Sequence, residues 1–250
     1  MSPIHQVEEA YEIYGYPDGG RYVFSCEHAS NRLPNFIHPT TQDKKLLHTH
    51  WAWDIGARAL TMELARQTKS IAVLSRFSRL VCDPNRHLNR ADLIRAEADG
   101  HKISFNTQVD EAEAAFRIDQ YYNPYHDALH RVITQRKQQN KPPFLFVSVH
   151  SFTPVWNTNI RTMDVGILFD TYPELAEELQ KNLREENLFV AMNEPYSGKF
   201  GLMYAADRHG TGNAIQHLEF EFNQAILCTE QRVAFVAPKI IRALDRLELT

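Results

Sequence analysis

The stretch Phe144–Val149, FLFVSV, followed at once by His150, decides how this 250-residue chain folds. A near-continuous apolar run of this length is typical of a strand that is buried on both faces of a parallel sheet. The shorter run Tyr22–Cys26, YVFSC, has the same character and is followed by Glu27 and His28. We therefore predict two core strands, each of which ends at a polar side chain that is able to do chemistry.

Strand-like and helical patterns alternate along the rest of the chain. Such alternation predicts a single α/β domain over residues 1–250, with a mostly parallel sheet between helices and a ligand crevice beyond the carboxyl ends of the strands. The further predicted strands are Ile71–Leu74, Leu80–Cys82, Val165–Phe169, Leu188–Ala191 and Ala214–Phe222. The predicted helices are Asp43–Thr68 with an interruption at Gly56, Asn106–Asn140, Glu174–Glu186 and a last helix that carries Val233, Val236, Ala237, Ile240, Ile241, Leu244 and Leu247 on one face.

Composition narrows the classes of function. A formal net charge of −4 argues against general nucleic-acid binding, and no apolar run is long enough to cross a bilayer. The N-terminal stretch lacks the basic-then-apolar order of a secretory signal, and three cysteines fit a reducing compartment better than a disulfide framework. We expect a soluble cytoplasmic protein. The sequence does not specify its oligomeric state.

A basic segment stands out in this acidic chain. Between Ser75 and Arg90 it contains several arginines and a single acid, Asp83; the arginines are Arg76, Arg79, Arg86 and Arg90. The segment suggests an anionic small-molecule ligand, although a solvated face paired with acids elsewhere explains the charge pattern equally well. Because a guanidinium can grip a carboxylate with two hydrogen bonds, Arg86 and its neighbour Asn85 are candidates for holding such a ligand.

His28 and His150 follow the two core strands, which predicts that their imidazoles lie at the same edge of the sheet. Two imidazoles and one carboxylate, with a fourth position open, form a catalytic zinc site that lowers the pKa of bound water. The third ligand is open among Asp54, Glu27 and His50, with Asp54 favoured. Imidazole and carboxylate also accept manganese or iron, so the metal could be a divalent ion other than zinc.

Glu219 and Glu221 lie two residues apart in the predicted strand Ala214–Phe222 and should point to the same face. Two buried acids are costly unless they meet metal, cation or solvent. A carboxylate beside activated water can serve as general base, so these glutamates are candidates for that role. An edge strand with both acids solvated is the alternative.

The motifs together resemble those of the N-formylglutamate amidohydrolase family, particularly its branch of predicted members. The blocks occur in order over most of the chain: CEHASNRLP at Cys26–Pro34, HWAWDIGA at His50–Ala57, SRLVCDPNR at Ser78–Arg86, NPYHDAL at Asn123–Leu129, VHSFTP at Val149–Pro154, RTMDVGILF at Arg161–Phe169, NEPYSG at Asn193–Gly198 and the final LEFEFNQAIL. The resemblance implies a fold like that of the zinc carboxypeptidases and of the succinylglutamate desuccinylase and aspartoacylase group, with a central mixed sheet and helices on both faces as a three-layer sandwich.

The resemblance also implies roles for particular residues. His28 and His150 match the two metal histidines, and Asn85 with Arg86 matches the pair that binds the substrate carboxylate. Glu221 matches the catalytic base better than Glu219 does.

Two positions depart from the pattern of these relatives. Asn31 stands where the relatives place a metal-binding glutamate, and Asn223 stands where the family commonly has an arginine. The first departure leaves the third metal ligand open, and the second weakens a direct transfer of the substrate's identity.

The resulting hypothesis is a zinc-dependent hydrolase that removes a small acyl group, formyl above all, from an acidic amino acid such as glutamate. Arg161 is expected to make a second anionic contact or to stabilise the oxyanion, and Tyr125 and His126 are expected to line the pocket. A related zinc amidase or carboxypeptidase with another acyl or peptidyl substrate is the nearest alternative. A metal-free protein that binds an anionic metabolite is the other.

Overall fold

A computed structural model of the chain describes residues 3–139 and 143–250. An eight-stranded mixed sheet lies at the centre of this described part. The strands along the chain are β1 (Ile4–Val7), β2 (Tyr11–Gly15), β3 (Tyr22–Cys26), β4 (Ile71–Ser75), β5 (Glu97–Ala98), β6 (His101–Lys102), β7 (Leu145–Phe152), β8 (Val155–Trp156), β9 (Asn159–Ile160), β10 (Val165–Leu168), β11 (Val190–Met192) and β12 (His217–Asn223). Two pairs of short strands, β5 with β6 and β8 with β9, form separate hairpins outside the central sheet.

Helices fill the intervals between the strands. The α-helices are α1 (Thr41–Leu46), α2 (Ala57–Gln67), α3 (Glu111–Arg117), α4 (Asn123–Gln138), α5 (Pro173–Glu185), α6 (Tyr204–Asn213) and α7 (Glu230–Asp245), and a π-helical segment at Ile118–Tyr122 joins α3 to α4. Within the described residues, no helix is both long and apolar enough to cross a membrane.

The strand order across the central sheet is β1-β2-β4-β3-β7-β12-β10-β11. The middle of the sheet is parallel, because β3 pairs in parallel with both β4 and β7, and β7 pairs in parallel with β12. Antiparallel pairing occurs where β2 meets β4 and where β12 meets β10. The carboxyl ends of β3, β7 and β12 therefore meet at one edge, where ligands bind in open α/β sheets.

Two apolar cores, one on each face of the sheet, make the three layers. On one face β3, β7 and β12 pack against α2, α5 and α7 through residues such as Phe24, Leu179 and Ile240. On the other face α4 and α6 cover the sheet through residues such as Leu129 and Ala206. The predicted three-layer α/β sandwich with a mixed sheet is confirmed.

The predicted strand Phe144–Val149 is longer in the structure, where β7 continues to Phe152. His150 therefore lies within the strand and not after its end. Its Cα partner in the neighbouring strand β12 is Glu221. This register places a histidine and a glutamate side by side on one face, since residues paired across two strands point the same way.

The predicted strand Leu80–Cys82 is wrong. Residues 79–81 form a turn, closed by a hydrogen bond from Val81 N to Ser78 O at 2.9 Å and supported by Ser78 Oγ, which donates to Ala52 O at 2.9 Å. Leu80, Val81 and Cys82 are apolar because the turn is buried among helices and loops, at no more than 1% exposure. An apolar run of three residues marks burial and does not by itself identify a strand.

The predicted helix Asp43–Thr68 is two helices, α1 and α2, separated by turns. Gly56 immediately precedes α2 and caps it with a positive φ of 86°, and a Cβ there would lie 2.5 Å from the Cβ of Leu227. Only glycine fits this position, because a side chain would meet both a strained backbone and a neighbouring residue. The break matters because the turns between the helices carry His50 and Asp54. The predicted segment Asn106–Asn140 contains α3, the π-helical segment and α4, while Asn140 lies outside the described residues.

Candidate metal centre and active-site cavity

His28 and His150 come together at the carboxyl edge of the sheet. His28 follows β3 and His150 lies in β7, and the centroids of their rings are 4.7 Å apart with an interplanar angle of 73°. Both side chains are buried, at 3% and 1% exposure. Parallel pairing of β3 with β7 produces this proximity, because the two strands reach the same edge side by side.

Asp54 completes the group from the turn before α2. Its backbone N donates to His28 O at 2.9 Å, which fixes the turn against the strand edge. Its Oδ2 lies 2.8 Å from His150 Nδ1 and 3.4 Å from His28 Nδ1. Ligand atoms of the three residues lie within 4.8 Å of one another, so this buried group could hold a metal ion.

The other ring nitrogens of the two histidines are held by buried carboxylates. Asp83 Oδ1 lies 2.7 Å from His28 Nε2, and Glu27 Oε2 lies 3.0 Å from His150 Nε2. A carboxylate on the outer nitrogen of a histidine fixes the ring's tautomer and orientation, which is the usual support of a metal-binding imidazole. Both Nδ1 atoms are thereby turned inward toward Asp54.

The carboxylates around the two rings stay ionised. Burial alone would raise the pKa of Glu27, but hydrogen bonds from His150 and Ser148 outweigh it and lower that pKa to about 2. Burial is likewise outweighed at Asp83 by the charges of His28 and Arg86, and at Asp54 by those of Arg79 and His28, so both pKa values fall below the ordinary range. The result is a buried concentration of negative charge, which suits a divalent cation.

One atom of the group lacks a hydrogen-bond partner. His28 Nδ1 is buried and aimed at Asp54 Oδ2, but it makes no hydrogen bond in the described part of the chain. A buried polar atom without a partner is costly. A metal bound to this nitrogen would satisfy it, so the residues present fit a divalent ion.

The other candidate ligands have different partners. Glu27 faces the outer nitrogen of His150, and His50 Nδ1 lies 3.2 Å from Asp54 Oδ1, on the opposite oxygen from the two inward nitrogens. Asn31 donates its side-chain amide to Leu47 O at 2.9 Å. The geometry thus favours Asp54 as the third ligand over these alternatives.

Glu219 and Glu221 are both buried on the same face of β12, and the alternative of two solvated acids is wrong. They are 1% and 6% exposed, and the Oε2 atom of each lacks a hydrogen-bond partner among the described residues. Burial raises the pKa of Glu221 to about 8 and that of Glu219 well above its ordinary range. Glu221 reaches the cavity, whereas Glu219 lies one layer deeper, with its Oε2 3.7 Å from His150 Nε2.

A cavity of about 280 Å³ opens above this group. His28, Asp54, His150 and Glu221 line it together with the guanidinium groups of Arg79, Arg86 and Arg95. The remaining lining residues are His50, Trp51, Asp83, Asn85, Trp156, Tyr196 and Leu202. Three guanidinium groups on one small cavity favour an anionic ligand, as the basic segment predicted.

Asn85 and Arg86 occupy a tight turn beside the metal group. The turn forms because Asp83 Oδ1 accepts a hydrogen bond from Asn85 N at 2.8 Å while it also holds His28. Asn85 Oδ1 accepts from Ala205 N at 2.9 Å, which ties the turn to α6. Arg86 Nε lies 3.3 Å from Asp92 Oδ2, so the guanidinium is steadied from the side while it lines the cavity.

Three predicted site residues are placed elsewhere. Arg161 is not among the residues that line the cavity; its guanidinium lies against the rings of Phe152, Trp156 and Tyr196 at 5.5–5.7 Å from their centroids. It positions aromatic walls, and its positive charge opposes the rise in the pKa of Glu221 that burial causes.

Tyr125 and His126 do not line the cavity either. Tyr125 is fully buried and its hydroxyl donates to Glu27 Oε1 at 2.7 Å, which makes it a support of the carboxylate behind His150. His126 is buried under α6, with its Nδ1 2.9 Å from His209 Nε2. Helix spacing alone could not show which face of α4 turns toward the site.

The roles of several residues of the site were not predicted from the sequence. Arg79, whose guanidinium binds Asp54 Oδ1, belonged to the basic segment but was given no role. Asp83 and Glu27 were visible as the acids next to the predicted ligand and clamp positions. Their function as supports depends on which ring nitrogen faces inward, and no sequence pattern reports that.

The fold and the site define a three-layer α/β protein in which a buried group that could hold a metal lies at the floor of a cavity lined by three arginines. A family model described as N-formylglutamate amidohydrolase matches residues 20–228 of this chain. The chain belongs to the N-formylglutamate amidohydrolase family, and it is therefore a hydrolase that acts on amide bonds.

Solved structures share the architecture. A gene product from Agrobacterium tumefaciens is 27% identical with a TM-score of 0.86, over 95% of this chain and 96% of that one. The N-formylglutamate amidohydrolase from Ralstonia eutropha is 18% identical with a TM-score of 0.74, over 94% and 96%. The succinylglutamate desuccinylase from Chromobacterium violaceum is 9% identical with a TM-score of 0.42, over 96% and 66%, a score too low to establish a shared fold by itself. No match was found among curated protein sequences.

Proposed function

We propose that this protein is a zinc-dependent hydrolase that removes a small acyl group from the nitrogen of an acidic amino acid, with N-formylglutamate as the reference substrate. The observation that supports the proposal most is the inward orientation of His28 Nδ1 and His150 Nδ1 toward Asp54, with a carboxylate behind each ring. Two imidazoles and one carboxylate with an open position are the ligand set of catalytic zinc sites.

Three residues would hold the metal: His28 and His150 through their Nδ1 atoms, and Asp54 through Oδ2. A zinc ion at that position supplies Lewis acidity, which polarises a carbonyl and makes water acidic enough to ionise near neutral pH. Glu27 and Asp83 keep the rings in the required tautomer. Arg79 keeps Asp54 ionised and oriented from its outer oxygen.

Glu221 is the proposed general base. It lines the cavity on the same face as its strand partner His150, and one of its carboxylate oxygens has no hydrogen-bond partner in the described part of the chain. A base must reach the proton that it removes, and an unpartnered oxygen in a cavity is free to do so. Glu221 then returns that proton to the departing amine nitrogen, so acid and base work is done by one carboxylate.

Arg86, with Asn85 beside it, is proposed to hold the α-carboxylate of the substrate. The turn that carries the pair is anchored to Asp83 and therefore to the metal group itself. A fixed distance between the carboxylate clamp and the metal group orients the scissile amide, and orientation of this kind accounts for several kcal/mol of many enzymatic barriers.

The proposal is tested by metal analysis and hydrolysis of N-formyl-L-glutamate, with formate release as the readout. We expect one zinc per chain, loss of activity with a chelator and recovery when zinc is restored. His28→Ala should lose both metal and activity. His38→Ala is the matched control, because His38 is exposed and does not line the cavity.

A stable, correctly folded protein without stoichiometric metal and without sensitivity to chelators would contradict the proposal and favour a metal-free binder of anionic metabolites. A parallel screen of formyl, acetyl and succinyl amino acids separates a deformylase from a related amidase. In that screen Arg86→Ala should lower kcat/KM about tenfold or more for every N-acyl amino acid, because each carries the α-carboxylate and a charge-assisted hydrogen bond contributes roughly 1.5–3 kcal/mol.

A further inference from the structure

A second recess, the outer groove, adjoins the active-site cavity. Its volume is about 480 Å³, larger than the inner cavity, and it shares His50, Trp51 and Trp156 with that cavity. The residues that line only the outer groove are Thr49, Asp99, Gly100, Thr153, Val155 and Asn157. The two spaces are therefore neighbours that share these three side chains.

The common wall is aromatic. The rings of Trp51 and Trp156 have centroids 5.5 Å apart with an interplanar angle of 50°. Arg95 lies over the Trp51 ring at 5.5 Å, and Arg161 lies over the Trp156 ring at 5.5 Å. Arg161 also closes the base of the β8–β9 hairpin, since its backbone N donates to Pro154 O at 2.9 Å. One guanidinium group thus lies over each indole ring of this wall.

Charge divides the two spaces. The inner cavity carries the guanidinium groups of Arg79, Arg86 and Arg95 beside the carboxylates of Asp54, Asp83 and Glu221. The lining that belongs to the groove alone contains no lysine or arginine and one acid, Asp99. Among the residues that line the two spaces, a substrate carboxylate finds arginine partners only in the inner cavity, and the groove is not suited to a second anionic group. Threonine hydroxyls, an asparagine amide and two indole rings fit an uncharged acyl chain or a peptide unit.

The size of the inner cavity agrees with this division. Pockets for small organic ligands commonly have volumes of roughly 300–1,000 Å³, and the inner cavity at about 280 Å³ lies near the lower limit. It is suited to the amino acid, while a formyl group would leave the larger groove without a ligand.

We propose that the outer groove binds an uncharged acyl or peptidyl portion larger than formyl, so that the substrates of this enzyme are N-acyl acidic amino acids with an extended acyl part. This inference rests on the proposed function and names the substrate class of the same site. The reaction is the same hydrolysis: the acyl C–N bond breaks, the acyl carbon receives the hydroxyl of water, and the amine nitrogen receives the proton.

The first test compares kcat/KM for N-formyl-, N-acetyl- and N-pentanoyl-L-glutamate. We expect kcat/KM to rise at least tenfold from formyl to pentanoyl. Trp156→Ala and Val155→Asp should each reduce that ratio to within about threefold of one, the first by removing the wall and the second by charging the groove. Ile160→Ala is the control on the same hairpin, because Ile160 is 76% exposed and lines neither space, and it should keep the ratio of the unmodified enzyme.

The second test measures binding without turnover. The Glu221→Gln variant is titrated calorimetrically with the same three compounds, and we expect at least tenfold tighter binding of the pentanoyl compound than of the formyl compound. Equal affinities, or a wild-type preference for formyl, would overturn the groove proposal and leave the hydrolase proposal intact. Tighter pentanoyl binding, together with no hydrolysis of any of the three compounds by the unmodified protein, would support the groove proposal and contradict the proposed function.

Discussion

The two faces of the central strands β3, β7 and β12 differ in what they carry. One face is apolar except for Ser151 near the end of β7, and it packs against α2, α5 and α7; its apolar residues are Tyr22, Phe24, Cys26, Leu145, Val147, Val149, Leu218, Phe220 and Phe222. The opposite face begins apolar at Val23 and Phe146 and becomes polar toward the carboxyl ends, with Ser25, Ser148, His150, Glu219 and Glu221.

The difference shows how a short strand serves two purposes. Because side chains alternate between faces, one strand can contribute apolar side chains to the core on one face and polar side chains to the candidate site on the other. Polar residues are costly inside a protein, and most of those on these strands lie where the sheet edge brings them to a cavity or to each other. Stability and chemistry should therefore respond separately to changes on the two faces.

The largest expected effect is on the polar face. Glu221→Gln removes the proposed base while keeping size and burial, so kcat should fall about 10²–10⁴-fold, the usual contribution of general acid–base catalysis. Zinc content should not change, because Glu221 is not a proposed ligand. Steady-state kinetics and metal analysis of the same preparation measure both quantities.

The control for that variant is Glu177→Gln on α5, an exposed glutamate far from the cavity lining. It should behave as the unmodified enzyme. Near-normal turnover of Glu221→Gln would show that another group takes the proton, and Glu219, on the same face of β12, would be the next candidate.

On the apolar face the effect should appear as lost stability. Phe220 is fully buried between its neighbours in the core, and Phe220→Ala should lower the free energy of unfolding by about 3–5 kcal/mol, since it creates a cavity. Denaturant unfolding measures the change. At temperatures where the variant is folded, kcat should stay within about threefold of the unmodified value. If Phe220→Ala lost activity without a change in the free energy of unfolding, stability and chemistry would not be separated between the two faces.

The fold was largely predictable from the sequence because its decisive strands are unusual. The runs at Tyr22–Cys26 and Phe144–Val149 are nearly continuous apolar segments bounded by polar ones, a pattern that indicates strands buried on both faces. Leu80–Cys82 misled the same reasoning, because three buried residues in a turn look like a short strand. The edge strand β1 and its neighbour β2 were not predicted, since mixed polar residues leave no clear alternation there.

The site was predictable where strand ends fix position and unpredictable where orientation matters. His28, His150 and the pair of glutamates follow from strand positions, and the structure brings the two histidines and Asp54 together. The positions of Tyr125, His126 and Arg161 depend on helix rotation and on aromatic packing. Those depend on contacts between residues distant in sequence, such as Tyr125 with Glu27, which a single sequence does not reveal.

A smaller effect is expected from the supports behind the metal group. Asp83→Asn keeps the shape of the turn but offers an uncharged group to His28 Nε2. Loss of such a support typically lowers metal affinity or activity about 10–100-fold. Competition with a zinc chelator of known affinity measures the change. Asp92→Asn is the comparison, because Asp92 contacts Arg86 and neither histidine; its zinc affinity should be unchanged. Equal zinc affinity in both variants would contradict the supporting role of Asp83.

The smallest expected change in zinc affinity tests whether Ser148, Tyr125, Glu27 and His150 act as one hydrogen-bonded unit. Ser148 Oγ donates to Glu27 Oε2 at 2.5 Å, and the same oxygen lies 3.0 Å from His150 Nε2. Ser148→Ala should cost about 1 kcal/mol of stability, the net contribution of a typical hydrogen bond, and only a few-fold in zinc affinity, because Tyr125 still donates to the other oxygen of Glu27. Combining Ser148→Ala with Tyr125→Phe should weaken zinc by more than the product of the single effects, since Glu27 then keeps only His150 among these three partners. If the double variant changes the free energy of zinc binding by the sum of the two single changes, the serine and the tyrosine act independently and the four residues are not a single unit.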